Sequence, residues 1–145
     1  MPITVKQIKL WRSEVKNQPG ALASTIGPPA KAGADFSVIM GYKHPSAAGK
    51  AVIEVFPIVG RKLAAAADGA GLAAVAIPTL LVEGDNRQGL GHAVAQSIGE
   101  SGINIAFLVA QVIGRRFAAV IGFETEEDAR KAAPLIRKAT KGPKA

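Results

Sequence analysis

Asn17-Gln18-Pro19-Gly20-Ala21-Leu22 and, 69 residues later, Asn86-Arg87-Gln88-Gly89-Leu90 are two versions of one stretch. The same shift places Gly33 on Gly102, Asp35 on Asn104, Phe36 on Ile105 and Val38 on Phe107. Past the next loop it reads as 67, with Ile53 on Val120 and Phe56 on Phe123, so that loop is expected to be two residues shorter in the second copy. Two such lengths nearly exhaust 145 residues. The chain therefore reads as two copies of one unit, residues 1–77 and 78–145, with no room for a further domain.

Each copy carries the same order of elements. Gln7 to Val15 and Thr79 to Val82 are expected as opening strands, and the Asn/Gly cluster then turns the chain. Ala21–Ala32 and Leu90–Ser101 are amphipathic, with Leu22 and Ile26 in one and Leu90, Val94 and Ile98 in the other at helical spacing, each followed by a glycine suited to a helix C-terminus, Gly33 or Gly102. Strands follow over Phe36–Tyr42 and Ile103–Val112, the latter with Ile103, Ile105, Phe107 and Val109 on one face. Hairpins lead into Ala51–Phe56 and Phe117–Phe123. Arg61–Ala67 and a helix opened by Thr125-Glu126-Glu127-Asp128, a hydroxyl cap followed by acids, come next. Ala73–Ile77 closes copy one. The order strand, helix, strand, strand, helix, strand predicts an α+β fold of two ferredoxin-like units in tandem, each an antiparallel sheet with helices on one face.

Some features resist this frame. Pro28 and Pro29 fall inside the first helix and Pro134 inside the last, where a break or bend is expected. Thr140 to Ala145 is too polar to be the closing strand of copy two, so that edge either stays open or is filled by Ile3–Val5, from this chain or a neighbouring one.

Composition removes several chemistries. No cysteine is present, and the two histidines, His44 and His92, are far apart, so no metal centre and no cofactor are expected. The polar opening residues do not form a secretory leader, and the most apolar window, Leu63–Val82, is broken by Asp68, Gly69, Gly71 and Pro78; a cytoplasmic protein with no membrane segment is expected. The net charge of +7 is unevenly placed: residues 1–129 hold 12 basic and 11 acidic side chains, whereas 130–145 hold six basic and none acidic. That distribution describes a basic helix end and argues against nucleic acid as the partner. No catalytic residues are expected, because Asp85 and Glu100 near His92 have no nucleophile beside them, and His92 is expected to face solvent. Trp11 is expected to be buried, and Arg115-Arg116 to be a solvated turn.

A duplicated unit of this order, with Asn-x-x-Gly between first strand and first helix, resembles a tandem ACT domain. The resemblance spans nearly the whole chain. It implies a small regulatory protein that binds an amino acid or a similar ligand between paired units and signals to a partner enzyme or transcription regulator. In copy two Gln88 replaces Pro19, Gly91 replaces Leu22 and Arg87 adds a charge, which puts that site in doubt.

The residues support a ligand independently. A helix N-terminus leaves backbone N–H groups unpaired and favours a carboxylate, and glycine permits close approach. Candidate ligand-binding residues are Asn17, Gln18, Pro19, Gly20, Ala21 and Leu22, with Asn86, Arg87, Gln88, Gly89 and Leu90 in the second copy. Ser37, Val38, Asn104 and Ile105 on the second strands are the expected source of acceptors for an amino group. The plainer alternative is that Asn-x-x-Gly is only a turn and helix cap. Exposed apolar sheet surface predicts self-association, either of the two copies side by side within the chain or of two chains, with a homodimer as the default expectation. The rival function is an RNA-binding module using the basic C-terminal segment, but the third strands supply no paired set of aromatics for base stacking. An acylphosphatase-type enzyme lacks its arginine early in the first helix.

Overall fold

Backbone pairing in a computed structural model, which describes residues 2–141, sorts eight strands into two four-stranded antiparallel sheets. In chain order the elements are β1 (Thr4–Ile8), β2 (Trp11–Lys16), α1 (Ala21–Lys31), β3 (Val38–Lys43), β4 (Lys50–Phe56), α2 (Gly60–Gly69), β5 (Ala73–Ala74), β6 (Thr79–Asp85), α3 (Leu90–Glu100), β7 (Ile105–Ile113), β8 (Arg116–Phe123) and α4 (Glu126–Ala139). The sheet orders are β3-β4-β2-β5 and β1-β6-β8-β7. Both place a unit's first strand between its third and fourth, the ferredoxin-like arrangement, so the expected α+β tandem is the observed fold.

The fourth strand of the second sheet comes from the front of the chain. β1 pairs antiparallel with β6, from Thr4 opposite Glu83 to Ile8 opposite Thr79. Two compact units follow: a first unit, Lys9–Ala76, and a second unit made of the residues up to Ile8 together with those from Ile77 on. The strand expected over Gln7–Val15 is thus two strands in two sheets. The break falls at Lys9-Leu10, between the last residue paired with β6 and the first paired with β4. Of the alternatives for the last edge, the chain's own N-terminal segment fills it, as Thr4–Ile8 rather than Ile3–Val5. The residues after Lys141, including the basic Lys144, lie outside the described residues.

Helix α4 holds this strand in place. The Arg137 guanidinium donates to the Val5 carbonyl at 2.9 Å, and the Gln7 amide donates to both Glu126 carboxylate oxygens at 2.6 and 2.7 Å. Its start is as expected, with the Asp128 N–H donating to the Thr125 hydroxyl at 3.0 Å and acids in the first turn. Pro134 does not interrupt it. The second-unit core joins Val5 to Leu80 and Val82 of β6, Leu90, Val94 and Ile98 of α3, Phe117, Ala119, Ile121 and Phe123 of β8, and Ala129, Ala132 and Ile136 of α4.

The first unit is built on the same plan with a smaller core of Ile53, Val55, Ala67 and Leu72, against which Trp11, half-buried rather than buried, Ile26 and Phe36 pack. Its α1 is continuous through Pro28 and Pro29. The reason lies in the inward face. Leu22, expected in the core, is 42% exposed, and the buried residues are Thr25 and Pro29, which occupy the places of Val94 and Ile98 in α3. Pro29 is therefore a core side chain. Both helices end on their glycines: Ala34 N–H donates to Pro29 O and Ile103 N–H to Ile98 O, with Gly33 and Gly102 at φ of +110° and +77°.

The hairpin shift of 67 is corrected to 66. Lys16 pairs with Lys50 and Asp85 with Arg116, so Ile53 corresponds to Ala119 and Phe56 to Gly122. The second loop is three residues shorter, and the slip matters because it exchanges the faces of the strand. In β7 the register skips at Ala106, so Ile105 lies opposite Phe123 and Phe107 opposite Gly122; the bulge puts on opposite faces two residues expected on one. The expected closing strand Ala73–Ile77 is reduced to Ala73–Ala74, paired with Trp11 and Arg12 before the chain leaves this unit.

Val5→Ala removes a buried anchor of the strand that arrives from the far end of the chain, and should lower the stability of the second unit by about 2 kcal/mol. Urea unfolding followed by circular dichroism checks it; an unchanged midpoint would mean that β1 adds only surface pairing.

Candidate functional site

Both Asn-x-x-Gly loops fold alike. Gly20 and Gly89 sit at the N-caps of α1 and α3 with φ of +85° and +80°, a region that costs a residue bearing Cβ. Asn17 N–H donates to Gly49 O at 2.9 Å and Asn86 N–H to Arg115 O at 2.8 Å, which ties each loop to the hairpin of its own unit. Ala21 N–H closes a turn on Gln18 O and Leu90 N–H one on Arg87 O. Neither helix has a side-chain cap, and the next two N–H groups, of Leu22 and Ala23 or of Gly91 and His92, have no hydrogen-bond partner among the described residues. Each helix therefore presents two free donors and a positive dipole end. His92 is exposed, as expected.

In the first unit the start of α1, with the Leu22 donor, borders an open notch of about 350 Å³. Asn17, Gln18, Gly20, Ala21 and Leu22 form one wall, Gly41, Tyr42 and Lys43 of β3 the second, and Ala51, Val52 and Ile53 of β4 the floor. Small side chains make the space. Gly41 places nothing between Leu22 and the sheet, a Cβ there lying 3.9 Å from Leu22 Cδ1, and Ala51 is the short floor residue. Lys43 lines the same notch as the start of α1, so a basic residue and a helix N-terminus border an apolar floor.

Of the expected residues, the structure brings Asn17, Gln18, Gly20, Ala21 and Leu22 to this notch; Pro19 is exposed in the same loop. Ser37 and Val38 do not line it. A strand following a helix starts at the far end of the sheet, so β3 begins at the α1 C-terminus and reaches the loop only with Gly41–Lys43. Asn104 and Ile105 are at the corresponding far end of β7, where the Asn104 amide donates to Glu124 at 3.2 Å and Ile105 packs on the core. In the second loop Gln88 is exposed, Leu90 is 1% exposed inside the core, and the Arg87 guanidinium turns to the end of α4, donating to Ala139 O at 3.1 Å. Gly41, Lys43 and Ala51 were missed by sequence reasoning, although a glycine within a strand signals close approach.

The other face of β2, β3 and β4 carries a polar group. Glu54, 1% exposed, accepts the Tyr42 hydroxyl at 2.5 Å and lies in register with Arg12. Beside it, His44 Nε2 meets Glu14 Oε1 at 2.6 Å, while His44 Nδ1 accepts the N–H groups of Ser46 and Ala47 at 3.1 and 2.9 Å, shaping the hairpin tip that the Asn17 loop is tied to.

No protein-family model matches the chain, and no curated protein sequence matches it. Solved structures do. The regulatory subunit of aspartate kinase from Thermus thermophilus matches over 97% of this chain and 98% of its own, at 15% identity and a TM-score of 0.64. Aspartokinase alpha and beta subunits match over 96% and 97%, at 17% identity and a TM-score of 0.63. A protein from Bacteroides thetaiotaomicron matches over 88% and 87%, at 14% identity and 0.70. The shared property at these identities is the fold, two antiparallel-sheet units in tandem. Among the described residues no helix is long and apolar enough to cross a membrane.

Tyr42 is the single tyrosine, so its titration is directly visible. Burial, then the bond to Glu54 and the charge of that carboxylate, push it from 10.0 up to about 12. The folded state thus holds this proton more tightly than the unfolded chain, and the resulting stability is complete below about 10 and is lost as pH rises toward 12. The tyrosinate absorbance should titrate near the higher value in the folded protein and near the lower one in denaturant, and Tyr42→Phe should abolish that alkaline loss of stability.

Proposed function

We propose that the chain is a non-catalytic sensor that binds a small amino acid, or a similar small carboxylate, in the notch of the first unit and signals to a partner enzyme or regulator in trans. The observation that carries this reading is the coincidence, in one open cavity, of the unpaired Leu22 N–H at a helix start, Lys43 on the facing strand and an apolar floor of Ala51, Val52 and Ile53. A carboxylate fits the cationic end. The Asn17 and Gln18 side chains offer donor and acceptor to an ammonium group, and an aliphatic side chain rests on Leu22 and Ile53. Regulation of an enzyme is supported by the shared fold, since the Thermus thermophilus protein is a regulatory subunit of aspartate kinase. A ligand shifts such a partner only by its differential affinity for two arrangements of the sensor.

The reading also includes a homodimer, for which β7 is the seam. It is the outer strand of its sheet, carries no charged residue over Ile105–Ile113, and exposes Leu108, Val109, Val112 and Ile113. An uncovered apolar edge of this length is a template for a second strand.

A thermal-shift screen of the twenty amino acids should give a hit, worth about 2.7 kcal/mol at roughly one hundred times its dissociation constant. Gly20→Val should abolish the response, whereas Gly89→Val, equally strained in its backbone, should keep it. Sedimentation should show a dimer that Val109→Lys converts to monomer; a monomeric parent protein would remove β7 as the seam.

A further inference from the structure

We infer that the chain holds a single ligand site and that Phe117 is the side chain that closes its counterpart in the second unit. The inference rests on the ligand reading for what the open site takes, but the closure stands on packing alone. Strand register makes the two places equivalent without reference to sequence similarity: Ala51 lies opposite Val15 and Lys43, and Phe117 lies opposite Gly84 and Val112, at the same step after each hairpin.

The exchanges at this place are coordinated. Ala51, the floor of the open notch, becomes Phe117, which is 4% exposed and part of the second-unit core. Leu22, which leans over the notch, becomes Gly91, where a Cβ would lie 4.0 Å from Phe117 Cε2, so the ring occupies the room that the missing side chain leaves. Ala21 becomes the buried Leu90. The chemistry that would attract an anion leaves along with the space: Val112 stands in register where Lys43 does, and Arg87, at the place of Gln18, spends its guanidinium on the C-terminal carbonyl of Ala139. Two free N–H groups persist at the start of α3, but the cavity beside them is filled, and the loop has become a joint that fastens α4. One copy keeps the notch; the other keeps the backbone and has a core there instead.

Transplanting the plug tests this. Ala51→Phe with Leu22→Gly gives the first unit a side-chain pair that the second already accommodates, and should leave cooperative melting intact while removing the amino-acid response; retained binding overturns the assignment. The reciprocal pair, Phe117→Ala with Gly91→Leu, should reopen the second notch. Calorimetry with the amino acid that shifts melting should give one equivalent per chain for the parent protein, and two equivalents overturn the inference. A readout that needs no ligand is the nuclear Overhauser contact between the Phe117 ring and the Gly91 α-protons. Its absence overturns the closure. A flat amino-acid screen with that contact present removes the ligand reading and leaves the closed second loop standing.

Discussion

The pairing of Thr4–Ile8 with Thr79–Glu83 is the constraint on which the architecture rests. A four-stranded sheet whose last strand is missing would expose the backbone of β6 and the apolar row beneath it, both costly in water and both open to foreign strands. Thr4–Ile8 cover them. Val5 enters the core of the second unit, and Arg137 and Gln7 fix the strand to α4 at two points. The chain consequently passes between its two units twice, after Ile8 and after Ala76. Each unit closes a complete sheet even though the repeats, taken in order, would leave one of them a strand short.

Within that frame the two copies differ by paired exchanges, of which the one at the Asn-x-x-Gly loops keeps the total volume. Val38 faces Phe56 in one sheet, and Phe107 faces Gly122 at the same step of the other. The Phe107 ring lies so close over Gly122 that no Cβ fits there. Leu22 with Ala51 against Gly91 with Phe117 is a second exchange of this kind. Close-packed interiors tolerate swaps that keep total volume and resist those that do not. A change in one strand therefore selects its complement in the neighbouring one, and the net effect at the Asn-x-x-Gly loops is an open space in one unit and a filled one in the other.

Polar divergence follows a similar line. Arg12 and Glu54 are cross-strand partners in the first sheet, while Leu81 and Val120 hold the same step in the second. A buried carboxylate is tolerable only with a partner, which the Tyr42 hydroxyl supplies, whereas the apolar pair needs none. This arrangement lies in the strands that wall the open notch, so the unit with the cavity also carries the more polar sheet.

Much of this was legible in the chain itself. The duplication, the order of elements, the two glycines at left-handed helix starts, the Schellman ends at Gly33 and Gly102 and the Thr125 cap all depend on local chemistry, which a sequence carries directly. The amino-acid string alone determined that there are two α+β units with a turn and helix start repeated in each, because periodicity, turn residues and caps act over a few neighbours. Tertiary structure decided which strand completes the second sheet, that the hairpin shift is 66 rather than 67, that Pro29 and not Leu22 faces the core, and that Gly41–Lys43 rather than Ser37–Val38 reach the loop. Those outcomes depend on register and on volumes shared between residues far apart in the chain, where a one-residue step reverses a face and a single phenylalanine fills a cavity.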